Sequence, residues 1–209
     1  MNIASIETFS TEYLAFVRVR TTDGDEGWGQ VSPYNADITA QVVHRHIAPH
    51  TLGRDGSDAH QLTQWVLERE HKFPGTYLYR ALCGVETALW DIRGKREQKS
   101  VCQLLGSKRT EFPVYASSMR RDISPEAEAE RMLALKEAYG YQAFKFRIGS
   151  ECGHDEDQWP GRTEANIKRM RETLGDDVAL LVDANSCYTP AKAIEVGHML
   201  QDYGICHFE

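Results

Sequence analysis

Three short clusters in the second half of the chain carry residue types that could do chemistry together: Lys145-Phe146-Arg147, Asp183-Ala184-Asn185 and Glu209. Side chains alternate along an extended segment, so Lys145 and Arg147 would share one face, and Asp183 and Asn185 would share another. Carboxylates on neighbouring strand ends are hard oxygen ligands suited to Mg2+, which completes its shell with substrate oxygens and water. Cations opposite such a site would face a carboxylate. Removing the proton beside that carboxylate generates a highly charged enediolate, which a metal and fixed cations stabilise as it develops. Each cluster alone has an ordinary reading. A Lys-x-Arg pair is usually an exposed edge or an ion pair, and Asp-x-Asn after a strand is usually a turn or cap. Their placement at matching depth on consecutive strands carries the functional reading.

The elements that would hold these residues follow from the hydrophobic pattern. Strands are predicted at 114–118, 143–148, 178–182 and 205–209, with helices at 124–139, 162–174 and 190–203. Ser124 fits a cap position and Pro125 the first helical position. Apolar strands alternating with amphipathic helices mean parallel strands covered on the outside. A doubly wound sheet and a (β/α) barrel both fit that rhythm. Charged groups at successive strand ends favour the barrel, and no G-x-G-x-x-G follows the first strand. Earlier in the chain, 3–9, 13–20 and 26–31 read as an antiparallel meander turning at Asp23-Gly24. Helical patterns follow at 38–70, broken at Pro49 to Gly56, and at 77–98.

A net charge of -7 argues against a nucleic-acid partner. No apolar stretch reaches the ~18–20 residues that would span a membrane, and the first residues lack signal-peptide features, so the cytoplasm is the expected location. The five cysteines form no C-x-x-C pair and read as reduced, mostly buried thiols. His44, His46, His50 and His71 show no trusted ligand spacing, and His207 reads as a core residue one layer below Glu209.

Several stretches resemble the enolase superfamily, specifically the mandelate racemase/muconate lactonizing enzyme family, mandelate racemase-like branch. Asp23-Gly24-Asp25-Glu26-Gly27-Trp28-Gly29-Gln30 resembles the D-G-x-x-G-W-G-E hairpin of the capping domain. Glu86 to Lys95 resembles its A-L-W-D-I-x-G-K helix, and Gln103-Leu104-Leu105-Gly106 the L-L-G that leads into the barrel. Phe144 to Gly149 is similar to the K-x-K strand, Val182-Asp183-Ala184-Asn185 to the V-D-x-N strand, and His207-Phe208-Glu209 to the start of the strand with the second metal ligand. The resemblance implies an α+β capping domain over 1–112, followed over 113–209 by the first four strands of a TIM-type (β/α) barrel, of the family's modified (β/α)7β form. It implies that Asp183 and Glu209 ligate Mg2+, that Lys145 and Arg147 flank the substrate carboxylate and acidic carbon, and that Asn185 hydrogen-bonds substrate. A homo-oligomer is the family's common state.

The chain departs from the family at Arg147, where a racemase-like enzyme would keep a second lysine as base. Guanidinium is a poor proton acceptor but a good fork for a carboxylate or enolate. One-base chemistry follows, favouring dehydration of an acid sugar, an aldonate or aldarate, to a 2-keto-3-deoxy acid. A racemase, epimerase or cycloisomerase of the same superfamily is the alternative. A full barrel needs about eight strands, so the chain reads as truncated. A third carboxylate and a His–Asp base would lie beyond Glu209. Should these residues be the whole protein, weak metal binding, no turnover and self-association are expected. The cap loop between Phe9 and Tyr13 is short, so Tyr34 is a candidate lid residue. Arg120, after the first barrel strand, is a candidate contact for an anionic sugar acid.

Overall fold

The computed structural model describes residues 1–150, 153–205 and 207–209. It forms two compact units, Met1–Thr110 and Glu111–Glu209. Among the described residues no helix is long and apolar enough to cross a membrane.

The first unit opens with an antiparallel meander of β1 (Ile3–Ser10), β2 (Ala15–Thr21) and β3 (Glu26–Gln30). Ala15, Val17, Val19 and Thr21 of β2 are buried, while Phe16 and Arg20 between them are exposed, as strand alternation requires. Helical segments follow: α1 (Ala36–Val42), a π-helical turn (Val43–Ile47), α2 (Ala48–Thr51), α3 (Ala59–Arg69), α4 (Thr76–Glu97) and α5 (Val101–Leu104). The glycines of the G-W-G segment have a steric purpose. A Cβ on Gly27 would collide with the Ala88 carbonyl oxygen, and one on Gly29 with that of Gly84, so β3 lies directly against the backbone of α4. The helix also supplies polar anchors. Asp91 Oδ2 accepts from the Trp28 N–H at 2.9 Å, and Lys95 Nζ donates to the Glu26 carbonyl at 2.9 Å. The A-L-W-D helix motif is therefore a docking device for the hairpin.

The helical break in this unit falls later than expected. Pro49 does not break the helical run; it sits in the first turn of α2, where its missing N–H is harmless. The run ends instead at Leu52, and Asp58 caps the next helix by accepting from the Gln61 N–H at 2.9 Å. The histidines are also less idle than their spacing suggests. His46 Nδ1 and His50 Nε2 contact the two oxygens of Glu70 at 2.6 and 2.7 Å. Burial pushes the Glu70 carboxyl up, but hydrogen bonds from the two imidazoles outweigh it and hold the group below the usual carboxylate range. The spacing of four that aligns His46 with His50 is visible in sequence; the carboxylate arriving from the far end of α3 is not.

The second unit contains β4 (Ala116–Ser117), α6 (Pro125–Tyr139), β5 (Ala143–Arg147), α7 (Arg162–Leu174), β6 (Ala179–Asp183), α8 (Pro190–Asp202) and β7 (His207–Phe208). The strands are parallel and lie in the order β4-β5-β6-β7. An order that never reverses belongs to a barrel wall; doubly wound sheets reverse at a switch point. Phe144, Phe146, Leu180 and Val182 join Met132, Ile167 and Met170 of the helices in one buried cluster. Ser124 caps α6 by accepting from the Ala127 N–H at 3.2 Å, with Pro125 in the first turn. The strand expected over 114–118 is only Ala116–Ser117, with Val114 and Tyr115 exposed. His207, expected in the core, is exposed on β7, the edge strand among the described residues. The thiols also differ from expectation: Cys83 and Cys102 are exposed and Cys187 is buried. Cys152 and Cys206 lie outside the described residues.

Candidate functional site

The site grows from the parity of β5 and β6. Phe144 and Phe146 turn into the apolar cluster, so Lys145 and Arg147 must turn to the other face of the sheet. Arg147 pairs in register with Asp183, the last residue of β6. Both cations are nearly removed from water, at 8% exposure for Lys145 and 6% for Arg147, and Asp183 is 2% exposed. Groups so deeply buried need partners.

They find one another. Lys145 Nζ donates to Glu209 Oε2 at 2.6 Å and to Asp183 Oδ2 at 3.3 Å. The hydrogen bond to Glu209, opposed by burial and aided by Asp183, raises the lysine pKa, so the ammonium keeps its proton. Arg147 Nη1 forms a close ion pair with the same Asp183 oxygen. Arg147 Nη2 reaches the Met119 sulfur at 3.1 Å, and its Nε has no hydrogen-bond partner among the described residues. Asp183 Oδ1 accepts the backbone N–H of Asn185 at 2.8 Å. This local turn takes Asn185 and Ser186 through left-handed backbone (φ 51° and 62°), a conformation that Asn tolerates better than most residues. Glu209 is held at the end of β7, its N–H donating to the Val182 carbonyl at 2.9 Å.

Lys145, Arg147, Asp183 and Glu209 are thus brought into one network, and Asn185 stands at its margin with an exposed side chain. Arg120 is not drawn in. Its guanidinium is spent on Asp122, with contacts of 3.0 and 2.9 Å. Tyr34 belongs to the first unit, is exposed, and sets its ring edge-on to Tyr13 at 6.4 Å. Tyr115 and Met119 are additional neighbours that the sequence reading did not single out: the Tyr115 ring centre lies 5.5 Å from Lys145 Nζ. Both flank β4, whose Ser117 pairs in register with Lys145.

Do these residues fit Mg2+? One ammonium touches both Asp183 Oδ2 and Glu209 Oε2, so two hard oxygens converge within reach of a single cation. Two carboxylates plus water and substrate oxygens is an ordinary Mg2+ donor set. Among the described residues no third His, Cys, Asp or Glu joins them in a metal-binding group. The donors present suit the ion but make a partial set.

Comparison with known proteins agrees with this architecture. The profile of the mandelate racemase/muconate lactonizing enzyme N-terminal domain matches residues 2–106, and that of the enolase C-terminal domain-like family matches residues 127–209. A crystal structure from Roseobacter denitrificans, provisionally named a racemase, superposes with a TM-score of 0.96 at 58% identity, covering 100% of this chain and 57% of that one. A mandelate racemase/muconate lactonizing protein from Paracoccus denitrificans, complexed with magnesium, gives a TM-score of 0.88 at 32% identity, covering 99% and 58%. Among curated proteins, the arabinonate dehydratase of Saccharolobus solfataricus is 28% identical over 201 residues, or 91% of this chain and 50% of that protein. The chain spans about half the length of the curated relatives it matches. With a family profile matching each of its two units, an α+β unit followed by parallel βα repeats, the chain belongs to the mandelate racemase/muconate lactonizing enzyme family of the enolase superfamily.

Proposed function

We propose that this chain contributes to Mg2+-dependent removal of the proton α to a carboxylate, and that the reaction is dehydration of an acid sugar, an aldonate or aldarate, to a 2-keto-3-deoxy acid. The observation that carries the reading is an arginine, not a lysine, buried beside the aspartate at the end of β6. Asp183 and Glu209 would hold the ion. When bound, Mg2+ supplies fixed positive charge against the enediolate. Arg147 carries a guanidinium, a poor proton acceptor, and Lys145 donates to both carboxylates. Both are therefore assigned to binding and charge stabilisation, with Arg147 offering its fork of donors to the substrate carboxylate. Neither is assigned to proton removal, which favours one-base chemistry. Asn185, Arg120 and Tyr34 remain candidate substrate contacts, Arg120 only if it leaves Asp122. Exposed free thiols at Cys83 and Cys102 fit a reducing, cytoplasmic setting.

Racemisation or epimerisation is the second reading, favoured by the name of the Roseobacter relative. Incubation with Mg2+ and a panel of aldonates and aldarates in D2O separates them. Dehydration releases a 2-keto-3-deoxy acid; racemisation and epimerisation wash deuterium into the α-carbon without loss of water. Deuterium exchange that requires Arg147 as the base would sink the proposal. Absence of turnover with the whole panel would leave a binding fragment as the better description of these residues.

A further inference from the structure

Arg162 is a buried cation in the second unit that takes no part in the site network. It stands at the start of α7, is 1% exposed, and burial pulls its pKa below the ordinary guanidinium value. Its Nη1 donates to the main-chain carbonyl of Arg147 at 3.1 Å. Asn166, one turn later on the same helix and also fully buried, directs its amide nitrogen to that same oxygen at 3.5 Å. The carbonyl needs them because the sheet stops short. β4 takes the Lys145 carbonyl through the Ser118 N–H at 2.8 Å, but the next available donor, the Arg120 N–H, turns back to Ser118 Oγ at 3.2 Å.

Arg162 Nε also donates to the Ile123 carbonyl at 3.4 Å, and neutral side chains could satisfy both carbonyls. A buried cation brings a desolvation cost that apolar packing would avoid, so its retention is weak evidence for stability alone. Glu128 of α6, 0% exposed and held by Arg131 at 2.9 and 3.2 Å, offsets part of that cost by its charge, although burial prevails and keeps the Arg162 pKa lowered. One arm of the device ends on the peptide that carries the site guanidinium.

We infer that Arg162, with Asn166, is a positioning residue that sets the Arg147 peptide and thereby aims its guanidinium across the sheet face at Asp183. The inference rests on the proposed role of Arg147 in carboxylate binding, but its test does not. The Nε–H cross-peak of Arg147 in a 15N–1H spectrum of the full chain, identified by its loss in Arg147→Lys, reads the setting of that guanidinium directly. Arg162→Met should displace the peak, and Arg162→Lys should bring it part of the way back. Asn166→Leu should move it less, in the same direction. An Arg147 peak left in place by Arg162→Met overturns the inference. If that variant does not fold, an unmoved peak in folded Asn166→Leu overturns it equally. Mg2+ added to the wild-type chain tests the functional reading separately. A peak indifferent to Mg2+ counts against that reading, while displacement by Arg162→Met still supports the positioning.

Discussion

Removing Asp183 and removing Arg147 break the same ion pair, yet the structure predicts very unequal costs. In Asp183→Leu, Lys145 keeps Glu209 at 2.6 Å, but Arg147, 6% exposed, is left with the Met119 sulfur and no carboxylate among the described residues. An uncompensated buried charge costs about 3–5 kcal/mol. In Arg147→Met, Asp183 still has Lys145 at 3.3 Å and the Asn185 N–H at 2.8 Å. The loss is then one charge-assisted contact, about 1.5–3 kcal/mol. Native-state hydrogen exchange of the Phe146 and Val182 amides, in the presence of a chelator, isolates this unit from the other. Protection should fall by about two to three and a half decades in Asp183→Leu and by about one to two in Arg147→Met. Equal losses, or a larger loss from Arg147→Met, would refute the assignment of Asp183 as the shared counter-ion.

Other perturbations test other parts of the structure. Gly29→Ala drives a methyl into the Gly84 carbonyl and should cost at least the ~1–3 kcal/mol of an overpacked core, read as a lowered melting midpoint; wild-type stability would mean that β3 and α4 are not in backbone contact. Glu70 has a lowered folded-state pKa, so its stabilising contribution is present above the unfolded value of about 4.3 and is lost as pH falls through the lower folded value. Wild type should therefore exceed Glu70→Gln in stability at pH 7, and the difference should shrink below about pH 4 in urea titrations. Asp91→Ala leaves the Trp28 N–H without its acceptor, while Lys95 keeps the Glu26 carbonyl, and should cost about 1 kcal/mol, measured in the same way. Calorimetric titration should show Mg2+ binding weakened in Asp183→Asn and in Glu209→Gln; unchanged binding in both would remove them as ligands.

Local rules made much of this protein legible from its sequence. The Ser124-Pro125 start of α6 depends only on neighbouring residues, and it stands where the sequence puts it. So does the strand parity that turns Lys145 and Arg147 away from Phe144 and Phe146, because pleating fixes it within the strand. The order of apolar strands and amphipathic helices fixed parallel βα repeats, and the charged strand ends chose the barrel wall over a doubly wound sheet. What tertiary structure alone decided are meetings between separate elements. Glu70 between His46 and His50 and Arg162 under the Arg147 peptide leave no periodic trace. Burial of the thiols went the same way: a side chain's type states a preference for the interior, but the elements that would cover it are set by the tertiary structure.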